Sequence, residues 1–450
     1  MRILGLIAAS LFLSFPATAE SSLRLATFDM DVTPPLGAPL AYGETEGHWD
    51  LGLRAKGVVL LGAGDPIVLS AIDWIGISNE GHDAFRDALA RGAGTERARV
   101  AVQALHQHDT PMCDFSTERI LNEYGLETGR YNGDFAREVL EGLESAVQAS
   151  LDRAQPVTHV GAGEAEVHEV ASNRRLLGPD GTVRAMRFTA TADPELRAEP
   201  EGLIDPMVTV ISLWNEDAPI AVLSYYAVHP QSYYRTGIPN PDFPGVARFL
   251  RQLAVPEALH IHFTGAAGDI GAGKYNDGAH ENRMILAERL ADGMKRAFDA
   301  TERTALTAED VEWRSVPVLM PPAEHMDAAT FRESLENASG EEPFFGAATK
   351  LAWLERVEAG IPTDLSSLVM GPAQLLHLPA ESFVAYQLAA KELQPDRTVG
   401  VAAYSDYGAA YICTEEAYDQ GGYEASDRAS NVAPGVEAVL MEAIRELMAP

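Results

Sequence analysis

The chain has 450 residues, 46% of them hydrophobic, and a formal net charge of −32 from 66 acidic against 34 basic side chains. That length and apolar content can bury a large core, as one large domain or two intimately packed ones. The negative charge repels phosphate backbones and anionic headgroups, so nucleic acid is a poor partner.

Residues 1–19 read as a secretory signal. Arg2 supplies the positive start, residues 3–15 the apolar stretch, and Ala17-Thr18-Ala19 the small-residue cleavage site. The stretch is too short for a comfortable membrane span, and no later segment is long and apolar enough. Residues 20–450 are therefore expected to be exported and soluble, in the periplasm or secreted. No internal repeat, low-complexity tract or linker interrupts them.

Strands are predicted at 24–31, 55–61 and 66–75, a helix at 83–91, and a strand at 98–105. That strand closes on His106-Gln107-His108. Side chains alternate faces in an extended chain, so the two imidazoles would project together as half of a metal site. A helix is predicted at 134–153, strands at 208–214 and 219–228, a helix at 245–254, a strand at 258–264 and a helix at 281–300. Beyond residue 300 come a strand at 311–319, helices at 328–337 and 345–360, strands at 368–378 and 398–404, and a helix at 435–447. Several strands are continuous apolar runs, as expected where both faces are buried. The interleaving predicts an α/β fold with a mixed β-sheet core and flanking helices.

Polar residues stand at the carboxyl ends of the predicted strands, where α/β folds collect ligands. They are Asp73, the pair His106 and His108, His229 before Pro230, and Asp269 after the turn Gly265-Ala266-Ala267-Gly268. Asp73 and Asp242 would orient ligand histidines or, alternatively, serve in caps and turns. His260 and His262 share a strand face and read as structural, and Glu415 and Glu416 as a solvated turn. Trp74, Tyr225, Tyr226, Tyr233 and Tyr234 suit either a pocket lining or the core. The two cysteines, Cys113 and Cys413, leave a bridge and two free thiols as equal alternatives.

Taken in order, these pieces resemble the catalytic domain of the neutral (alkaline, non-lysosomal) ceramidase family. The resemblance begins at Asp31-Val32-Thr33-Pro34-Pro35-Leu36-Gly37. It runs through Leu105-His106-Gln107-His108-Asp109-Thr110-Pro111, Asn173-Arg174, Ala227-Val228-His229-Pro230 and Asp242-Phe243-Pro244-Gly245. It continues with Gly265-Ala266-Ala267-Gly268-Asp269, Leu378-Pro379-Ala380-Glu381, and Tyr411-Ile412-Cys413-Thr414 with Tyr418 and Tyr423-Glu424.

The resemblance implies a Zn2+ ion held by His106, His229, Glu381 and Tyr411, with Tyr407 the alternative to Tyr411. It gives His108 an acid/base role beside the metal. Arg174 and Tyr423 would orient or stabilise an oxyanion, and Asp269, read from its place after the glycine-rich turn, is a catalytic candidate that would bind substrate or, alternatively, hold that turn. The implied substrate is the N-acyl amide of ceramide or a related small-molecule or lipid amide. The family carries a serine two residues after the Gly-Asp, and here that position is Gly271. Its loss admits a different amide or ester substrate, or an exported binding protein without activity. The family's accessory β-domain is not expected after Pro450.

Overall fold

A computed structural model describes residues 23–49 and 51–449, so the expected signal segment lies outside the described residues. The larger sheets share one topology, used three times. A first strand pairs antiparallel with a second and the second antiparallel with a third. A helix then crosses over to a fourth strand that runs parallel to the third. The first unit consists of Arg24–Asp31, Arg54–Leu61, Ile67–Ile72, helix Asn79–Ala93 and Val100–Ala104. The second consists of His159–Glu166, Met207–Asn215, Ala218–Tyr226, helix Asp242–Ala254 and Leu259–Thr264. The third consists of Val311–Val318, Thr363–Met370, Ala373–His377, helix Val384–Leu393 and Thr398–Ala402. Short strands Gln155–Pro156 and Glu302–Ala305 extend the first two sheets.

The α/β class with mixed sheets holds, and the fold recurs where the sequence shows no repeat. The recurrence lies in the topology. Its chemical basis is the apolar run: Ile67–Ile72, Val100–Ala104 and Ala373–His377 are buried throughout, as parallel strands covered by crossover helices must be. Each unit also carries its long insertion in the same place, between first and second strands, at 32–53, 167–206 and 319–362.

The units meet at their strand ends. Leu105 N donates to Ile72 O, Ala104 N to Tyr404 O and Ala403 N to Thr264 O, while Thr264 Oγ1 donates to Leu105 O at 2.8 Å. Backbone from all three units is thereby joined where the fourth strands stop.

Elsewhere the predicted elements differ in instructive ways. The predicted strand 368–378 is a hairpin, Thr363–Met370 with Ala373–His377, turning at Gly371 with φ 55°. Strand His159–Glu166 was not predicted because two of its residues are glycines. A Cβ on Gly163 would come within 2.2 Å of Ala297 O, so the strand gives up side chains to let helix Asn282–Asp299 lie against it. Helices Phe115–Glu123 and Val384–Leu393 were also missed. Cys113 and Cys413 are free, buried thiols packed in different parts of the core, so the bridged alternative falls. Among the described residues no helix is long and apolar enough to cross a membrane.

Candidate metal centre and active site

The strand before His106 ends at Ala104, and His106 itself adopts φ 77°. His106 and His108 therefore converge through a turn, not through strand alternation as the sequence suggested. Their rings lie 5.0 Å apart at 77°. His229 follows Ala218–Tyr226, and its N donates to Ile270 O. Glu381 opens a two-residue parallel ladder with Tyr411–Ile412. One nitrogen from each of His106, His108 and His229 lies within 4.8 Å of the others, and all three residues are buried. Such a triad can hold a metal ion.

The hydrogen bonds decide which atoms face inward. His106 Nδ1 lies 2.6 Å from Ile75 O and His229 Nδ1 lies 3.0 Å from Ala267 O. A carbonyl only accepts, so each Nδ1 carries the proton and each Nε2 presents a lone pair. Those two lone pairs face each other at 3.1 Å. Glu381 Oε2 stands 3.3 Å from His229 Nε2 and 3.6 Å from His106 Nε2, buried and without a hydrogen-bond donor. Three electron-rich atoms turned on one point are repulsive unless a cation sits among them. Ligands about 2.0–2.1 Å from a tetrahedral zinc stand roughly 3.3 Å from one another, which is the spacing found. The donor set fits zinc.

The surroundings hold these atoms in place. Tyr407 Oη donates to Glu381 Oε1. Tyr404 stacks on His106 at 4.4 Å and its Oη lies 3.4 Å from His229 Nδ1. Arg174 Nη1 donates to Tyr411 Oη at 3.1 Å, and Arg174 Nε lies 3.3 Å from Glu424 Oε1. Burial pushes the Tyr411 hydroxyl well up while the Arg174 cation pulls it down. Burial likewise drives His106 down to about 3 and Glu381 up to about 7, the latter against the pull of Tyr407 and Arg174. His108 is held well below the usual histidine range by burial and by His106 and Arg174, and its Nδ1 has no partner. Left-handed backbone gathers here too: His106 at φ 77°, Ala380 at 46°, Tyr404 at 62° and Ala410 at 57°, each at or beside a site residue. Such conformations cost free energy and collect where geometry is functionally constrained.

A cavity of about 190 Å3 lies over this floor, lined among others by His108, Arg174, Tyr423, Tyr42, Phe188 and Phe344. Two expectations need correction. Asp269 is turned away from the lining: its Oδ1 accepts from Val384 N at 2.9 Å and its Oδ2 from Asn173 Nδ2 at 2.8 Å. Its own carbonyl accepts from Arg174 N. Asp73 and Asp242 do not orient the histidines, a task taken by the carbonyls of Ile75 and Ala267. Asp73 pairs with both Arg248 Nη atoms at 2.7 and 2.6 Å, and Asp242 accepts from Ser232 N and Phe243 N.

His262 hydrogen-bonds Ser224 within its sheet, away from the centre. Of the aromatic residues weighed from sequence, Tyr234 lines the cavity, whereas Trp74, Tyr225 and Tyr226 are core. Tyr42, Phe188, Phe344 and Tyr404 went unseen, because nothing in their neighbours marks them. Gly271 sits under the Arg174 side chain, where a Cβ would come within 3.3 Å of Arg174 Cγ.

No family model and no curated protein matches the chain. Solved structures do. One is a ceramidase complexed with C2, with a TM-score of 0.67 and 16% identity over 95% of this chain and 75% of that one. Another is a neutral ceramidase from Pseudomonas aeruginosa, with a TM-score of 0.68 and 15% identity over 95% of this chain and 74% of that one. At such identity the likeness establishes the fold, and the resemblance read from the motifs is matched at that level.

Proposed function

We propose that this protein is an exported, zinc-dependent amidohydrolase that cleaves a linear N-acyl amide of the ceramide type. One observation carries the reading: two imidazole lone pairs and an undonated carboxylate oxygen converge beside an arginine and two tyrosines. The neutral ceramidase fold supports the same reaction class.

His106, His229 and Glu381 would hold the ion, with Tyr411 beside them. Bound there, zinc supplies a Lewis acid and brings the pKa of a water toward ~7. His108, kept neutral by its surroundings, takes a proton from the attacking water and returns it to the leaving amine. Arg174 stays charged between Tyr411 and Glu424. Tyr423, its hydroxyl pushed up to about 12 by burial and Glu381, stays a donor at neutral pH. Both line the cavity where the carbonyl oxygen gains charge, and donors fixed in advance act best there. With glycine at 271 no serine hydroxyl takes part, and the proton work falls to His108 and Tyr423.

The test is metal content and amide cleavage measured in one preparation, using a short-chain fluorescent ceramide and a simple N-acyl amine. The expected result is about one zinc per chain, with cleavage, both lost in His106→Ala and His229→Ala. Zinc without cleavage of any amide overturns the reaction. No zinc under replete conditions overturns the ligand set.

A further inference from the structure

The cavity over the ligands, about 190 Å3, is smaller than the ~300–1,000 Å3 of pockets that enclose a drug-sized molecule. One wall sets that limit. Arg187 N donates to Arg174 O at 2.7 Å, and the buried Arg187 guanidinium donates to the carbonyls of Asn173, Glu199 and Pro200. On the other side, Thr189 O accepts from Asn276 Nδ2 at 2.9 Å. Phe188 is thus clamped from before and behind. Its ring lies 5.1 Å from the Arg174 guanidinium carbon and 5.7 Å from the Tyr423 ring, edge-on.

Below it, Gly271 and Gly273 let the clamped segment rest directly on the turn. A Cβ on Gly273 would come within 2.5 Å of Phe188 O, and one on Gly271 within 3.3 Å of the same oxygen. A side chain at 271 would meet the Phe188 carbonyl oxygen and Arg174 Cγ, each at 3.3 Å. Opposite, Tyr42 and Phe344 stack in parallel at 5.6 Å, and Tyr42 stacks on His108 at 5.7 Å. Phe188 and the Tyr42–Phe344 pair all line the cavity, so its walls are largely aromatic.

We propose that Phe188, seated on Gly271 and Gly273, is a specificity-determining residue that restricts the site to amides with a compact acyl group, aryl or short-chain, and disfavours long-chain acyl amides. A flat ring gains face and edge contacts with such walls. A long alkyl chain must displace a ring whose flanking backbone is held at Arg187 and Thr189. The proposal rests on the amide-hydrolase reading and narrows it to a substrate class.

The probes are benzohydroxamate, octanohydroxamate and dodecanohydroxamate, titrated calorimetrically into the zinc-loaded protein. The hydroxamate head is constant, so only the acyl side differs. Wild type is expected to bind benzohydroxamate about tenfold tighter than dodecanohydroxamate. Phe188→Ala should abolish or reverse that ratio, with Phe188→Leu in between. Phe188 is 41% exposed, so both variants should keep their melting temperature within a few degrees. Equal binding in wild type, or an unchanged ratio in both variants, overturns the proposal. The expected ratios without cleavage of any amide would support the acyl limit while sinking the hydrolase. No hydroxamate binding by zinc-replete protein overturns both.

Discussion

In each of the three units the chain reaches the cavity by two routes. The ends of the third and fourth strands bring His106, His108, His229, Glu381 and Tyr407 to its floor. The insertions between first and second strands bring Tyr42, then Arg174 and Phe188, then Phe344 and Phe345 to its walls. The floor is tied to strands by backbone hydrogen bonds, and Glu381 is 1% exposed; on the wall, Phe188 is 41% exposed. The lesson is a division of labour. The atoms proposed to hold the metal are placed where sheets meet, and those proposed to choose the substrate are placed on segments that sequence change can reshape.

Glu381→Ala tests the floor most severely. It leaves two facing imidazole lone pairs without the carboxylate, so bound metal and turnover should both fall to background, read by metal analysis and amide assay. Arg174 comes from an insertion yet touches the floor through Tyr411. Arg174→Met should lower kcat by about 10²–10³-fold, the scale of losing one oxyanion donor, with metal content unchanged. Loss of metal would move Arg174 from the reaction to the scaffold. Tyr407→Phe and Tyr404→Phe remove hydroxyls that contact Glu381 and His229. Each should weaken metal affinity by about 10–100-fold in a chelator competition, as second-sphere partners do.

The floor was largely legible in the sequence because it is written in local signals: an apolar run, then His-x-His, or an apolar run, then His-Pro. Asp73 shows where such reading stops. Its partner Arg248 lies 175 residues away, and no local pattern announces a buried pair across that separation. The threefold recurrence was invisible for a related reason. A topology constrains where apolar runs fall, not which residues fill them, and insertions of different length hide the spacing. Of the walls, Arg174, Tyr234 and Tyr423 were named from the sequence, whereas Tyr42, Phe188 and Phe344 sit in segments without periodicity and left no trace. The clamp at Phe188 is visible only as two glycines, Gly271 and Gly273, whose meaning depends on a chain passing over them.

That clamp gives a milder test of the wall. Gly273→Ala pushes a methyl within 2.5 Å of a backbone oxygen that cannot easily retreat. It should cost about 1–3 kcal/mol in a denaturant melt. Gly271→Ala, at 3.3 Å from flexible Arg174 Cγ as well as from Phe188 O, should cost less. If the two cost the same, the wall is looser than the contacts imply.

The smallest effect concerns what stands behind the floor. Asp114 caps helix Phe115–Glu123 and accepts from Asn79 Nδ2 at 2.9 Å; Asn79 N donates to Asp406 Oδ1, and Asp406 accepts from Gly408 N beside Tyr407. Arg356, facing Asp406 at 3.6 Å and Asp83 at 2.8 Å, the buried His82, Cys113 and Tyr131, and Arg86 also belong to this cluster. Burial pushes Asp114 up to about 7 despite the hydrogen bonds from Thr117 and Asn79. The folded state then keeps a proton on Asp114 that the unfolded chain releases near pH 4, so this group's contribution to stability falls as pH rises from about 4 to about 7 and levels off above. Asp114→Asn keeps an acceptor for the helix cap and removes the titration. Its melting temperature relative to that of wild type should rise across that window, with the metal content unchanged. A constant difference would assign the titration to another group. A loss of metal would show that the floor depends on this network for its geometry as well as its support.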